Sequence, residues 1–165
     1  MRTWLARPRE EANLLNPAFC CMTLTSAMWG FRDVKEEGMP FVQTFMVLPM
    51  VLHKPTRESL PANIRTSMAA WLLDNASARV LFYERLLSLK PYTKEAIHFG
   101  ISANWINSIA DGRFITTLKK GNVDRMIGSL NNEARECVLR ARFLGKWFAA
   151  AGPTHTVMTL WGIRP

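Results

Sequence analysis

The chain has 165 residues, 48% of them hydrophobic, with six Trp and nine Phe, enough to bury a core without disulfides or metals. Lys and Arg number 21 against 13 acids, a surplus of +8 that favours acidic proteins or nucleic acid as partners and is neutral about fold. Three cysteines, two of them adjacent at Cys20 and Cys21 and one alone at Cys137, exclude a disulfide framework and a paired zinc motif.

The first fifteen residues, with Trp4 among arginines and glutamates, have no apolar signal-peptide core and are expected to be a flexible or partner-ordered arm. The remainder, 16–165, is expected to be one globular helical domain. Its first helix starts at Pro17 behind the N-cap Asn16 and runs to about residue 31. A second, about 40–53, carries Pro49, which should kink or end it. The apolar run from Met39 to Leu52 is shorter than the ~20 residues a membrane span needs, so it is a core helix and the expected location is cytoplasmic. A Pro-bracketed turn, Ser59-Leu60-Pro61, follows the basic block His53, Lys54 and Arg57.

A third helix is expected over about 62–73, and a fourth from the cap Ser77 to residue 89, stopped by Lys90-Pro91. Thr93 then caps a fifth, over 93–108, with Ile97, Ile101 and Trp105 on one face. Asp111-Gly112 between apolar flanks is a hairpin signal of type I′, placing two short strands in 109–116. Asn122 caps a short helix to about 130, and a period near 3.6 predicts a long helix over 132–151, ended by Gly152-Pro153. Residues 154–160 add a helical turn or short strand. The fold class is therefore mainly α (α+β), a small helical domain with one short β-hairpin. Its helix-then-hairpin order is that of a winged-helix module, whose helix would enter a DNA groove.

Two basic surfaces emerge. One is His53, Lys54, Arg57 and Arg65, with the arginines suited to desolvated acidic contacts. The other is the last long helix, where Arg135, Arg142 and Lys146 lie opposite the apolar stripe, Arg140 is one row over, and Phe143 and Trp147 flank them. Basic and aromatic groups interleaved in this way suit an acidic partner helix or a nucleic-acid backbone. Trp4 and Phe41 are further candidate anchors. The three histidines share no metal-ligand spacing, no nucleophile–base motif is present, and no Walker A sequence occurs, so neither a catalytic site, a metal nor another cofactor is expected.

Several short blocks carry a resemblance. They are Asn16-Pro17-Ala18-Phe19, LPMVLHKPTRESLP at 48–61, IRTS at 64–67, Arg142-Phe143-Leu144-Gly145-Lys146-Trp147-Phe148 and the closing Leu160-Trp161-Gly162-Ile163-Arg164-Pro165. Their order, from about residue 13 to the end, resembles the middle component of bacterial three-component ABC systems, a group to which the small Lamassu-type subunit of anti-phage defence is similar. The resemblance implies a non-catalytic accessory subunit that docks on an SMC-like ATPase, itself a dimer, and helps couple DNA sensing to control of an effector nuclease. DNA would then be met through the complex, with no membrane involved. The competing expectation is a free-standing winged-helix DNA-binding transcriptional regulator.

Overall fold

The computed structural model describes residues 15–164. The expected arm lies almost wholly outside the described residues, as does Trp4; Leu15, where the description begins, already packs on the core.

Helix α1, Pro17–Arg32, starts as expected: Asn16 Oδ1 accepts from Ala18 N at 2.8 Å, and Pro17, whose missing N–H has no use there, sits in the first turn. Residues 20–28 are buried without interruption, including Thr23, Thr25 and Ser26. A helix buried on all sides belongs at the centre of a protein. Its buried hydroxyls are satisfied: Thr23 and Thr25 donate back into the helix, and Ser26 Oγ donates to Val138 O at 2.9 Å.

A two-residue strand β1, Met39–Pro40, leads into α2, Phe41–Val51, which is buried from residue 43 onward. Pro49 lies in the last turn of α2, and the helix ends two residues later. The basic block, for which no helix was expected, forms one of its own, α3, Lys54–Ser59, because Pro55 supplies the dihedral a first turn needs, and it ends at the expected Ser59-Leu60-Pro61 turn. Residues 62–67, expected to be helical, are turns. Helix α4, Met68–Asp74, begins only at the N-cap Ser67, whose hydroxyl accepts from Ala70 N at 3.2 Å.

The largest departure follows. A 3₁₀ turn, Ala76–Arg79, precedes α5, Phe82–Ser102, a single helix of 21 residues that runs through Pro91. Neither Lys90-Pro91 nor Thr93 divides it. Pro91 is exposed, so its ring displaces no core side chain, and Phe82, Thr93, Ala96, Ile97 and Gly100 are buried on both sides of it. Burial along the whole length outweighs the ~3 kcal/mol that an interior proline costs. Thr93 donates to Leu89 O from inside the helix, and Ile101 is exposed while Gly100 takes the buried position.

The hairpin is present, one register earlier than expected: β2, Ile106–Ile109, pairs antiparallel with β3, Arg113–Thr116. Asp111 and Gly112 both adopt positive φ, 59° and 62°. β1 adds a third strand, giving the order β1-β3-β2 with Met39 opposite Phe114. Helix α6, Lys120–Gly128, starts two residues before Asn122. Helix α7, Asn132–Ala150, is capped by Asn131 Oδ1 on Ala134 N, and α8, Thr154–Leu160, closes the described fold.

Two glycines fix the central crossing. A Cβ built on Gly145 of α7 would fall onto the Ala27 carbonyl oxygen of α1 and 2.7 Å from Phe31 N. One built on Gly30 of α1 would fall onto the Arg142 carbonyl oxygen. The backbones of α1 and α7 therefore touch where side chains would normally hold helices 8–10 Å apart. The result is a mainly α domain of eight α-helices and a three-stranded sheet among the described residues.

Candidate partner interface

The two basic surfaces expected from sequence turn largely inward. Arg57 is 2% exposed. Its Nη1 donates to Val51 O at 2.7 Å, its Nη2 to Glu133 Oε1 at 3.2 Å, and its Nε lies 3.5 Å from Glu136 Oε2. The Nε contact is an ion pair without hydrogen-bond geometry. Arg57 thus ties α3 to the first turns of α7 instead of standing at a rim. Around it the structure is designed for a cation: Val51 ends a helix and has a free carbonyl, and two carboxylates arrive from α7.

The neighbours differ. Lys54 is exposed and pairs with Glu58 at 3.7 Å, a solvated contact of small energetic weight. The His53 ring bonds Thr56 Oγ1 through Nδ1 at 2.7 Å, and burial, then the nearby Arg85 charge, hold its imidazole below the usual histidine value. Arg65 is exposed, and among the described residues only its backbone N–H is engaged, donating to Asn63 Oδ1.

On α7 the same internal pairing recurs. Arg135 donates to the carbonyls of Gly128 and Leu130 at 3.0 and 3.1 Å, and to Ile127 at 3.4 Å, closing the C-terminus of α6. Arg140 reaches Pro61 O at 3.4 Å. Arg142 lies 3.6 Å from Asp33 and 3.4 Å from Asp124, and Lys146 lies 3.1 Å from Asp33. Trp147 is buried and donates from Nε1 to Thr66 O at 2.8 Å, while Phe143, half-buried, packs beside its ring at 5.7 Å. Trp147 is a core residue. Phe41, 41% exposed, rests on Phe45 and Phe114. Of the residues nominated from sequence, Lys54 and Arg65 remain outward, with the edges of Phe143, Phe41 and Lys146.

The cysteines are equally enclosed. Burial pushes the Cys20 and Cys21 thiols up to about 12, and Cys137, also raised by burial, donates to Val51 O at 3.4 Å. None is a thiolate nucleophile at neutral pH.

The outward apolar surface lies elsewhere, between residues 73 and 87. Leu73 is 81% exposed, Leu81 63% and Val80 61%, with Tyr83 and Leu87 about half exposed. Leu81 precedes α5 with φ 55° and ψ 19°, the left-handed region, and offers no side-chain cap to the helix. Arg85 holds this turn in place: its guanidinium donates to Val80 O at 2.8 Å and Ala78 O at 3.0 Å and lies over the Phe82 ring. The cations Arg79, Lys90 and Lys94 are exposed beside it and make no ion pair among the described residues. Sequence reading missed this crest. The signal was the run Val80-Leu81-Phe82-Tyr83: a helix with one buried stripe covers Phe82 and leaves the others outside.

The described residues thus form a small helical domain with its three thiols enclosed and an apolar crest presented to solvent. The chain belongs to the ABC-three component (ABC-3C) system Middle Component 3 family, whose model it matches over residues 4–165. As a middle component it works with partner proteins of a multi-component system. Neither the curated proteins nor the solved structures yield a match. No helix among the described residues is long and apolar enough to cross a membrane.

Proposed function

We propose that this middle component is a non-catalytic adaptor of a phage-defence complex, docking on an SMC-like ATPase and helping couple DNA sensing to control of an effector nuclease. The observation that carries the proposal is family membership across residues 4–165. The enclosed, protonated thiols and the His53 ring engaged with Thr56 support a role without chemistry of its own. Arg135, Arg142 and Lys146, the cations nominated for phosphate contacts, are engaged with the chain's own carbonyls and acids, which weighs against a free-standing DNA-binding regulator.

Co-expression with the ATPase component of its own system tests this reading. The expected result is a stoichiometric complex that survives moderate salt. An ATPase that elutes free of this chain refutes it. The isolated chain is expected to give a flat DNA-binding curve; salt-sensitive binding of a duplex by the isolated chain would favour the regulator.

A further inference from the structure

We infer that the crest formed by Val80, Leu81, Tyr83 and Leu87 is the docking surface for a partner helix that carries apolar residues at alternating three- and four-residue spacing and is flanked by Asp or Glu. The inference deepens the adaptor reading and rests on it.

Leu81 is the first ground. Its backbone is left-handed, a conformation that costs a β-carbon-bearing residue on the order of 1–2 kcal/mol and glycine almost nothing. It occupies an N-cap position, where Ser, Asp, Asn or Gly would serve the helix better. Its side chain is 63% exposed, so no burial among the described residues repays either cost. Every local rule disfavours leucine here, and Arg85 locks the turn that presents it by bonding Val80 O and Ala78 O. A side chain that is costly and rigidly displayed has its use outside the chain.

The second ground is the outer face of α5. From Tyr83 the exposed residues step to Leu87, Lys90 and Lys94 at intervals of four, three and four, with Ile101, 45% exposed, seven further on. That is the spacing of one side of a two-helix seam, along a helix about 30 Å long. Tyr83 and Leu87 stand at the N-terminal end, beside Leu81, the cations lie in the middle, and Ile101 is alone at the far end. An occupant helix therefore meets leucine-like side chains at one end and places carboxylates against Lys90 and Lys94. A second copy of this chain, turned antiparallel, would bring the same lysines together and be repelled, so the charge pattern selects a different, acidic partner.

The test uses the full chain within its own three-component system. Leu81→Gly removes the side chain and relieves the backbone at once. The expected result is a melting temperature unchanged or raised, together with partner capture weakened by at least about tenfold, as for a central apolar contact. Leu87→Lys should weaken capture similarly with little change in melting. A photo-crosslinking residue at position 83 should then give adducts on a partner helix of the stated pattern. Undiminished capture by both variants, or adducts only to a second copy of this chain, overturns the crest while leaving the adaptor reading intact. Failure of the wild-type chain to capture any component of its system would instead remove the adaptor reading, and the crest with it.

Discussion

Replacing Gly145 by alanine should destabilise the protein even though alanine is the better helix former. In an open helix interior the exchange gains about 1 kcal/mol. At Gly145 the new methyl would land on the Ala27 carbonyl oxygen, 2.7 Å from Phe31 N and 2.8 Å from the Ala27 carbonyl carbon, and every one of these atoms is backbone. No rotamer change can clear it, so α1 and α7 must separate by roughly an ångström over a crossing buried on both sides. Overpacking relieved by side chains costs about 1–3 kcal/mol, and a rigid obstacle lies at or above the top of that range. After subtracting the propensity gain, the net loss is about 2 kcal/mol. For a chain of this size that corresponds to a melting point lower by about 4–8 °C. Urea denaturation of Gly145→Ala, with Gly121→Ala as a comparison, provides the measurement. Gly121 is helical and has nothing within 4 Å of its added carbon, so its exchange should gain about 0.5 kcal/mol. Gly30→Ala should match Gly145→Ala, and the double variant should cost less than the sum, because one separation admits both methyls. A Gly145→Ala protein as stable as wild type would refute the close crossing.

Arg57→Met keeps the buried stem and removes the charge from between Val51 O, Glu133 and Glu136. Because both carboxylates keep access to water, the loss should be about 2 kcal/mol, short of the 3–5 of a fully buried pair, and a change below about 0.5 in urea titration would refute the tie. Pro91→Ala should raise stability by about 1–3 kcal/mol if α5 is continuous, and a fall in the urea midpoint would show that the helix breaks there. Cys20 and Cys21 keep their protons in the fold up to about pH 12, whereas unfolded thiols lose them near pH 9. The unfolded chain therefore gains as pH rises: their contribution is intact below pH 9, and by pH 10 about 1.4 kcal/mol per thiol is lost. A Cys20→Ala, Cys21→Ala variant should show a correspondingly flatter decline from pH 8 to 10; identical slopes would count against the shift.

The parts of the fold that sequence reading recovered are those governed by neighbours in the chain. Asn16 caps its helix, the 3.6 period of α7 is visible residue by residue, and Asp111-Gly112 turns the hairpin. Pro91 misled because its local rule is overridden by burial of Phe82 on one side and Ala96 and Ile97 on the other. The candidate site was less legible for a related reason. A charge on a helix reads as solvent-facing until its partner is known, and Arg57 meets Glu133 76 residues away. Arg140 meets Pro61 O across 79 residues, and no pattern within a helical turn reports such a bond. The exposure of Leu81 depends on where α5 begins, which a start at Ser77 displaces.

The small sheet has a consequence for how copies of this protein behave in a crowded cell. Its outer strand β1 is two residues long and ends in Pro40, which has no N–H to offer, so hydrogen-bonded growth is blocked on that side. The opposite strand, Ile106–Ile109, leaves four residues with Asn107 and Ser108 facing water. Edge-to-edge stacking into fibres needs two compatible open borders, and among the described residues this sheet has one, four residues long, with Asn107 and Ser108 exposed beside Ile109. The hairpin can hold its place beside a partner without becoming a template for its own kind.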